Sequence, residues 1–161
     1  MRDQWRRSTV EHMNDILGKL EAQAERDGIL GLVCGSVIAN SEGNVLLVKR
    51  APDDFMPGIV ELPSGGVETG ESLLNGLKRE TLEEVGFEVR EVVAYVDSFD
   101  YLSQSGKSKR QFNFIVSGSF TTGQAQLSDE HVECYWVSPN LLNDFNVSPE
   151  TKNTLIKFWE K

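Results

Sequence analysis

The chain has 161 residues, 39% of them hydrophobic and 25% charged, with a formal net charge of −9 from 25 acids against 16 bases. That balance excludes a disordered chain and suits one globular domain, and the acidity argues against a nucleic-acid polymer or an anionic membrane as partner, since both require a basic face. Two cysteines, Cys34 and Cys134, support neither a disulfide framework nor a cysteine-based zinc site; both fall in strand-like runs and read as small core residues.

Ser8 to Glu11 reads S-x-x-E, a capping-box pattern that opens a helix. Val10, Met13, Leu17, Leu20 and Ala24 follow at three- and four-residue spacing as one apolar stripe, and Asp27-Gly28 ends it. This N-terminal helical extension, residues 1–28, can pack on the main domain, residues 29–161, or on a second subunit, so a homodimer stays open. The first thirty residues carry arginines but no apolar h-region, and the run Ile29 to Ala39 is too short to span a bilayer. A soluble, cytoplasmic protein is expected.

Three strand-like runs follow, Ile29–Ala39, Val45–Lys49 and Ile59–Leu62, the first two joined by a hairpin turn at Ser41-Glu42-Gly43-Asn44. A glycine-rich loop from Gly65 leads into a helical pattern over Ser72 to Val85. Then Val89–Tyr101, Arg110–Phe120 and Val132–Val137 are rich in β-branched and aromatic residues, with turns at Gln104-Ser105-Gly106-Lys107 and Thr121-Thr122-Gly123. A last helix has Ser148 as N-cap, Pro149 at its first position, and Leu155, Ile156 and Trp159 on one side. An α/β class, with a mixed sheet covered by helices, is the economical architecture.

The segment Gly65 to Phe87, GGVETGESLLNGLKRETLEEVGF, carries the chemistry. On a helix Glu80, Glu83 and Glu84 share one arc beside the apolar arc of Leu74, Leu77, Thr81 and Val85, at the edge of the buried stripe. Carboxylates so close repel one another unless a cation holds them together. Oxygen ligands without sulfur suit hard ions such as Mg²⁺ or Mn²⁺, and Mg²⁺ completes its octahedron with waters and phosphate oxygens.

Spacing sharpens the reading. Gly65 is followed after five residues by Glu71, then after seven by Arg79, directly by Glu80, then by Glu83, Glu84 and, after one more residue, Gly86. At residue frequencies of about 5–8%, seven fixed matches arise by chance in roughly one chain per million. Here the chain resembles the Nudix hydrolase family (MutT-like), whose signature box has this arrangement. The resemblance implies an α/β/α sandwich around a mixed sheet, and metal-dependent hydrolysis of a nucleoside diphosphate linked to another group. It further implies that Glu80, Glu83 and Glu84 bind metal and that Arg79 orients them. Glu71 would support the loop–helix junction or an outer metal, and Ser64 stands where the family offers a backbone carbonyl to metal. Two positions depart from the pattern: Thr81 replaces a hydrophobic residue, and Val60 stands where a tryptophan is frequent.

The expected reaction is attack of water on a diphosphate phosphorus, with one of Glu80, Glu83 and Glu84 accepting the water proton. A base outside the box is the alternative, and of Asp129, Glu130 and Glu133 the first choice is Glu130. For the substrate's other end the candidates are Arg50, which could bind a phosphate, Phe55 or Phe99, which could stack on a base, and the amides of Gln111 and Asn113, which share one strand face and could read its edge. The plainer reading makes Phe112 and Phe114 core and Asn113 a satisfied sheet residue. Lys107, Lys109 and Arg110 form a basic run that either steers anions or caps a hairpin. His12 and His131 stand isolated in sequence. The substrate is expected to be a small nucleotide: a nucleoside triphosphate, including oxidised forms, or else ADP-ribose or a nucleotide sugar. A nucleotide-binding module without turnover is the third reading.

Overall fold

A computed structural model describes residues 10–54 and 56–160. In chain order it contains α1 (Val10–Arg26), β1 (Gly31–Val37), β2 (Val45–Arg50), β3 (Val60–Glu61), β4 (Ser64–Gly66), α2 (Leu73–Val85), β5 (Phe87–Leu102), β6 (Ser108–Phe120), β7 (His131–Val137), a 3₁₀ turn (Pro139–Asp144) and α3 (Pro149–Glu160).

The strands form two sheets. In the first, of order β4-β1-β6-β5, β1 runs parallel to β6 and antiparallel to β4, so the sheet is mixed. The second, β3-β2-β7, is antiparallel. Residue alternation sends the two faces of the strands into separate cores. Cys34, Leu46, Val48, Phe112 and Phe114 pack with Met13 and Leu17 of α1 and Leu73, Leu77 and Val85 of α2. Val37, Val45, Leu47 and Ile115 pack with Leu142, Val147 and Leu155 on the α3 side. Helices therefore cover both faces, the α/β/α arrangement expected.

The apolar stripe of α1 is used within its own chain, with Met13, Leu17 and Ala24 all buried. Ser8 of the capping-box pattern lies outside the described residues. Gly28, at φ 75°, ends the helix where the backbone turns left-handed. Arg110 then ties this end to the β5–β6 hairpin through Asp27 (2.9 Å) and Asp100 (2.6 Å), so the basic run contributes an internal clamp there. The indole of Trp159 in α3 donates to the carbonyl of Gly43 (2.9 Å) and so pins the β1–β2 turn. Among the described residues no helix is long and apolar enough to cross a membrane.

Candidate active site

α2 is capped at its start by Ser72, whose hydroxyl accepts from the Asn75 amide (3.1 Å), and at its end by Gly86, which adopts φ 71° and donates its N–H to the Leu82 carbonyl. These caps fix the helix phase that presents Arg79, Glu80, Glu83 and Glu84. Of that helix, Leu73, Leu77, Thr81 and Val85 are buried, and so is the Glu84 carboxylate, 4% exposed. Thr81 does more than pack a methyl: its hydroxyl donates to the Leu77 carbonyl (2.7 Å) and lies 2.6 Å from the buried Ser36 hydroxyl.

Arg79 is the hub. Its Nε and Nη2 grip both oxygens of Glu71 (2.8 and 2.9 Å), its Nη1 reaches Glu80 (2.9 Å) and Glu83 (3.1 Å), and Nη2 also donates to the Gly66 carbonyl (2.9 Å). A planar guanidinium suits this fork, which a lysine could not copy. Glu71 also accepts the Glu68 amide, and these bonds, Arg79 foremost, hold its carboxyl down to about 2. Glu71 thus locks the glycine loop to the helix. Gly65 has no room for a side chain, because a Cβ there would fall 2.0 Å from Glu80 Oε2.

The other side of the cluster comes from β7 and the loop before it. His131 is buried, with Nδ1 2.8 Å from Glu84 Oε2, off the line of its N–H, and Nε2 3.3 Å from Glu61 Oε1. Burial pulls its pKa down, yet the two carboxylates more than offset this and raise it to about 9. The Ser128 hydroxyl donates to Glu84 Oε2 (3.3 Å). Glu130 joins them: Glu84, Glu130 and His131 each offer a ligand atom, all within 4.8 Å of one another. Burial, then the charge of Glu84, pushes the Glu130 carboxyl up. Burial likewise raises Glu80, against the pull of Arg79.

Carboxylate oxygens held this close fit a hard divalent cation, whose charge would offset their mutual repulsion. Glu80, Glu83, Glu84 and Glu130 are the side chains that could hold it. Ser64 lies in β4, opposite Gly35 and next to Gly65, on the strand that faces Glu80.

Beside this cluster opens a cavity of about 490 Å³. Arg50, Glu61, Phe99, Tyr101, Lys109 and Gln111 line it, and Arg50 Nε is paired with Glu61 at 2.8 Å. Phe99 and Tyr101 stand with ring centroids 6.1 Å apart. Asn113, by contrast, is fully buried beneath α3 and not at the cavity wall, and Phe55 lies outside the described residues. The structure thus gathers Glu71, Glu80 and Glu83 on Arg79, sets Glu84 from the same helix against Glu130 and His131, and puts Arg50 in the adjoining cavity. Sequence reasoning missed His131, Glu61 and Ser128, each a single polar residue in an ordinary context: the pairing of β3 and β7 on either side of β2 brings Glu61 to His131, and Ser128 reaches Glu84 from the loop before β7.

Residues 30–158 match the NUDIX domain family. A nucleoside triphosphatase, NudI, of Escherichia coli is 27% identical over 132 residues, which are 77% of this chain and 92% of that protein. An 8-oxo-dGDP phosphatase, NUDT18, of Danio rerio is 31% identical over 107 residues, 65% of this chain; the match spans 31% of that longer protein. The crystal structure of a MutT protein from Methanosarcina mazei Go1 superimposes with a TM-score of 0.70 at 25% identity, covering 81% of this chain and 93% of that one. The chain belongs to the Nudix family. It is a hydrolase acting on phosphorus anhydrides of nucleotides, in a family that generally uses divalent metal.

Proposed function

We propose that this enzyme is a Mg²⁺-dependent pyrophosphohydrolase of a nucleoside triphosphate, oxidised forms included, in the cytoplasm. The observation that carries the reading is that Glu61 belongs to two places at once, lining the cavity and meeting His131 at 3.3 Å, with His131 in turn 2.8 Å from Glu84. A substrate whose base lies against Phe99 and Tyr101 has its phosphates directed toward the carboxylates. The names of the E. coli and zebrafish relatives support a nucleoside phosphate substrate.

Glu80, Glu83 and Glu84, with the Ser64 carbonyl, would hold Mg²⁺, which when bound neutralises phosphate charge and makes its water acidic; Mn²⁺ fits the same oxygens. Arg79 keeps Glu80 and Glu83 in register and Glu71 anchors Arg79. Glu130, its carboxyl already biased toward the proton, accepts the proton of the attacking water, and Gly86 ends the helix that carries the glutamates. Arg50 positions a phosphate at the cavity mouth. Residues 29–161 form the catalytic domain and residues 1–28 an extension on it. Where a homodimer forms, its contact lies outside the buried stripe of α1.

A hydrolysis panel with product identification tests this, with Glu84→Gln as the blank. It includes common and oxidised nucleoside triphosphates, ADP-ribose and nucleotide sugars. A nucleoside monophosphate and pyrophosphate from a triphosphate is the expected result. AMP and ribose phosphate as the sole products would transfer the assignment to ADP-ribose. Absence of turnover on every substrate, with Mg²⁺ bound, would overturn the enzyme reading.

A further inference from the structure

Behind the cavity a chain of polar side chains runs from α3 through the first sheet. It starts at Asp97 on β5, a buried carboxylate that accepts from Thr154 Oγ1 (3.0 Å), from Lys157 Nζ (3.2 Å) and from Asn113 Nδ2 (3.0 Å). Asn113 Nδ2 also donates to Thr154 Oγ1 (3.2 Å), so the amino end of the Asn113 amide is committed toward α3. Its carbonyl end therefore faces the other way, and there it accepts from Gln111 Nε2 (2.8 Å). Asn113 and Thr154 are fully buried, so neither has water as an alternative partner.

Polarity propagates along such a chain. A carboxylate can only accept, so the first amide must turn its NH₂ toward it, and the second amide must then turn its NH₂ toward the first one's oxygen. The backbone makes room for this pair at Gly35. A Cβ on Gly35 would stand 2.3 Å from Asn113 Oδ1 and 2.8 Å from Gln111 Nε2, so the absent side chain of Gly35 is the space these two atoms share. Gln111 lines the cavity directly across the β5–β6 pair from Phe99. Gln111 is itself only 8% exposed, and with Nε2 committed to Asn113 Oδ1 the end of its amide left for a ligand is the carbonyl oxygen.

We propose that Gln111 is a specificity-determining residue whose carbonyl oxygen accepts a hydrogen bond from an amino or ring N–H group on the substrate's base, and that Asp97 is the positioning residue that sets this polarity through Asn113. This rests on the reading of the cavity as the seat of a nucleotide's base. The ligand class it selects is a nucleoside phosphate whose base edge donates. Bases whose edges only accept would place two oxygens or an oxygen and a lone-pair nitrogen face to face.

The test uses the full chain with Mg²⁺ and three triphosphates that differ only at the base: unsubstituted purine, its 6-amino form and its 2-amino form. The wild-type protein is expected to show a KM about five- to tenfold lower for at least one amino-bearing base than for purine, with kcat changed less than threefold, the effect of one neutral hydrogen bond. Gln111→Leu brings the three KM values together. Asp97→Asn lets the amide chain reverse and lowers or inverts the preference through KM, which loss of packing alone would not do. Equal KM values in the wild type, or a preference that survives Gln111→Leu, would overturn the proposal; both can be read even where Asp97→Asn does not fold. Turnover of all three without preference refutes only this inference. Turnover of none, with other nucleotides also inert, refutes the functional reading beneath it.

Discussion

Gly65 and Gly66 are neighbours in β4, and replacing each with alanine separates a clash at the site from a change in the backbone. Neither lies in the left-handed region, so alanine is compatible with both backbones. At Gly66 a Cβ meets open space, whereas at Gly65 it falls 2.0 Å from Glu80 Oε2 and 2.1 Å from Cδ. Since such contacts are not found below 3.0 Å, the Glu80 carboxylate must retreat by about 1 Å. A displacement of about 1 Å at a catalytic group costs on the order of 100-fold in rate, or about 2.7 kcal/mol of transition-state stabilisation. The retreat also strains the Glu80–Arg79 bond (2.9 Å), which together with the altered packing predicts a loss of about 1–2 kcal/mol and a Tm lower by about 2–8 °C. The assay is pyrophosphate release from the best triphosphate at saturating Mg²⁺, with a thermal melt of each variant. Gly65→Ala is expected to keep its fold and lose about 100-fold in kcat, while Gly66→Ala stays within about threefold of wild type. Equal activity of the two variants would refute the argument that Gly65 is required by the position of Glu80.

Glu84→Gln preserves shape and removes charge beside His131 and Ser128, and kcat is expected to fall at least about 100-fold; a value within about threefold of wild type under saturating Mg²⁺ would remove Glu84 from the metal set. Thr81→Val leaves the buried Ser36 hydroxyl without its 2.6 Å partner, which should cost about 1–3 kcal/mol in denaturant unfolding, and adding Ser36→Ala should recover part of that loss; purely additive costs would show that the pair is not coupled. Burial pushes the Cys34 thiol up to about 12, with the charge of Glu80 adding to it, whereas Cys134, read from the sequence as a core residue, is exposed. A disulfide reagent at pH 8 should therefore modify Cys134 rapidly in the native protein and Cys34 only in denaturant, and rapid native modification of both would contradict the packing around β1.

The helices were legible because their signals are local. The three- and four-residue stripe of α1, the helical pattern over Ser72 to Val85 and the Ser148-Pro149 start of α3 all stand where the sequence puts them. The strand β4 was not legible: Ser64-Gly65-Gly66 has no side-chain alternation, and it is a strand because its backbone pairs with β1. In the site, the glutamates and Arg79 followed from spacing along one helix. His131 and Glu61 did not, because their meeting depends on the register of a sheet in which β2 separates their strands and the two residues lie 70 positions apart. The amides of Gln111 and Asn113 share a strand face, as alternation requires. Only the placement of α3 decides that Asn113 is sealed beneath Thr154 while Gln111 stays at the cavity.

The first amide of a helix has no partner within the helix. In α2 that of Leu73 donates to Glu21 Oε1 of α1 at 2.9 Å, from a residue 52 positions earlier. Met13 and Leu17 of α1 share one core with Leu73, Leu77 and Val85 of α2. The two helices are therefore expected to open together, with amide hydrogen exchange in the first turn of α2 keeping pace with exchange along α1. A segment lying outside the family-matched residues 30–158 thus contributes contacts to the helix that bears the glutamates. Conversely, any ligand that tightens α2 through those carboxylates should slow exchange in α1, although it touches no atom there.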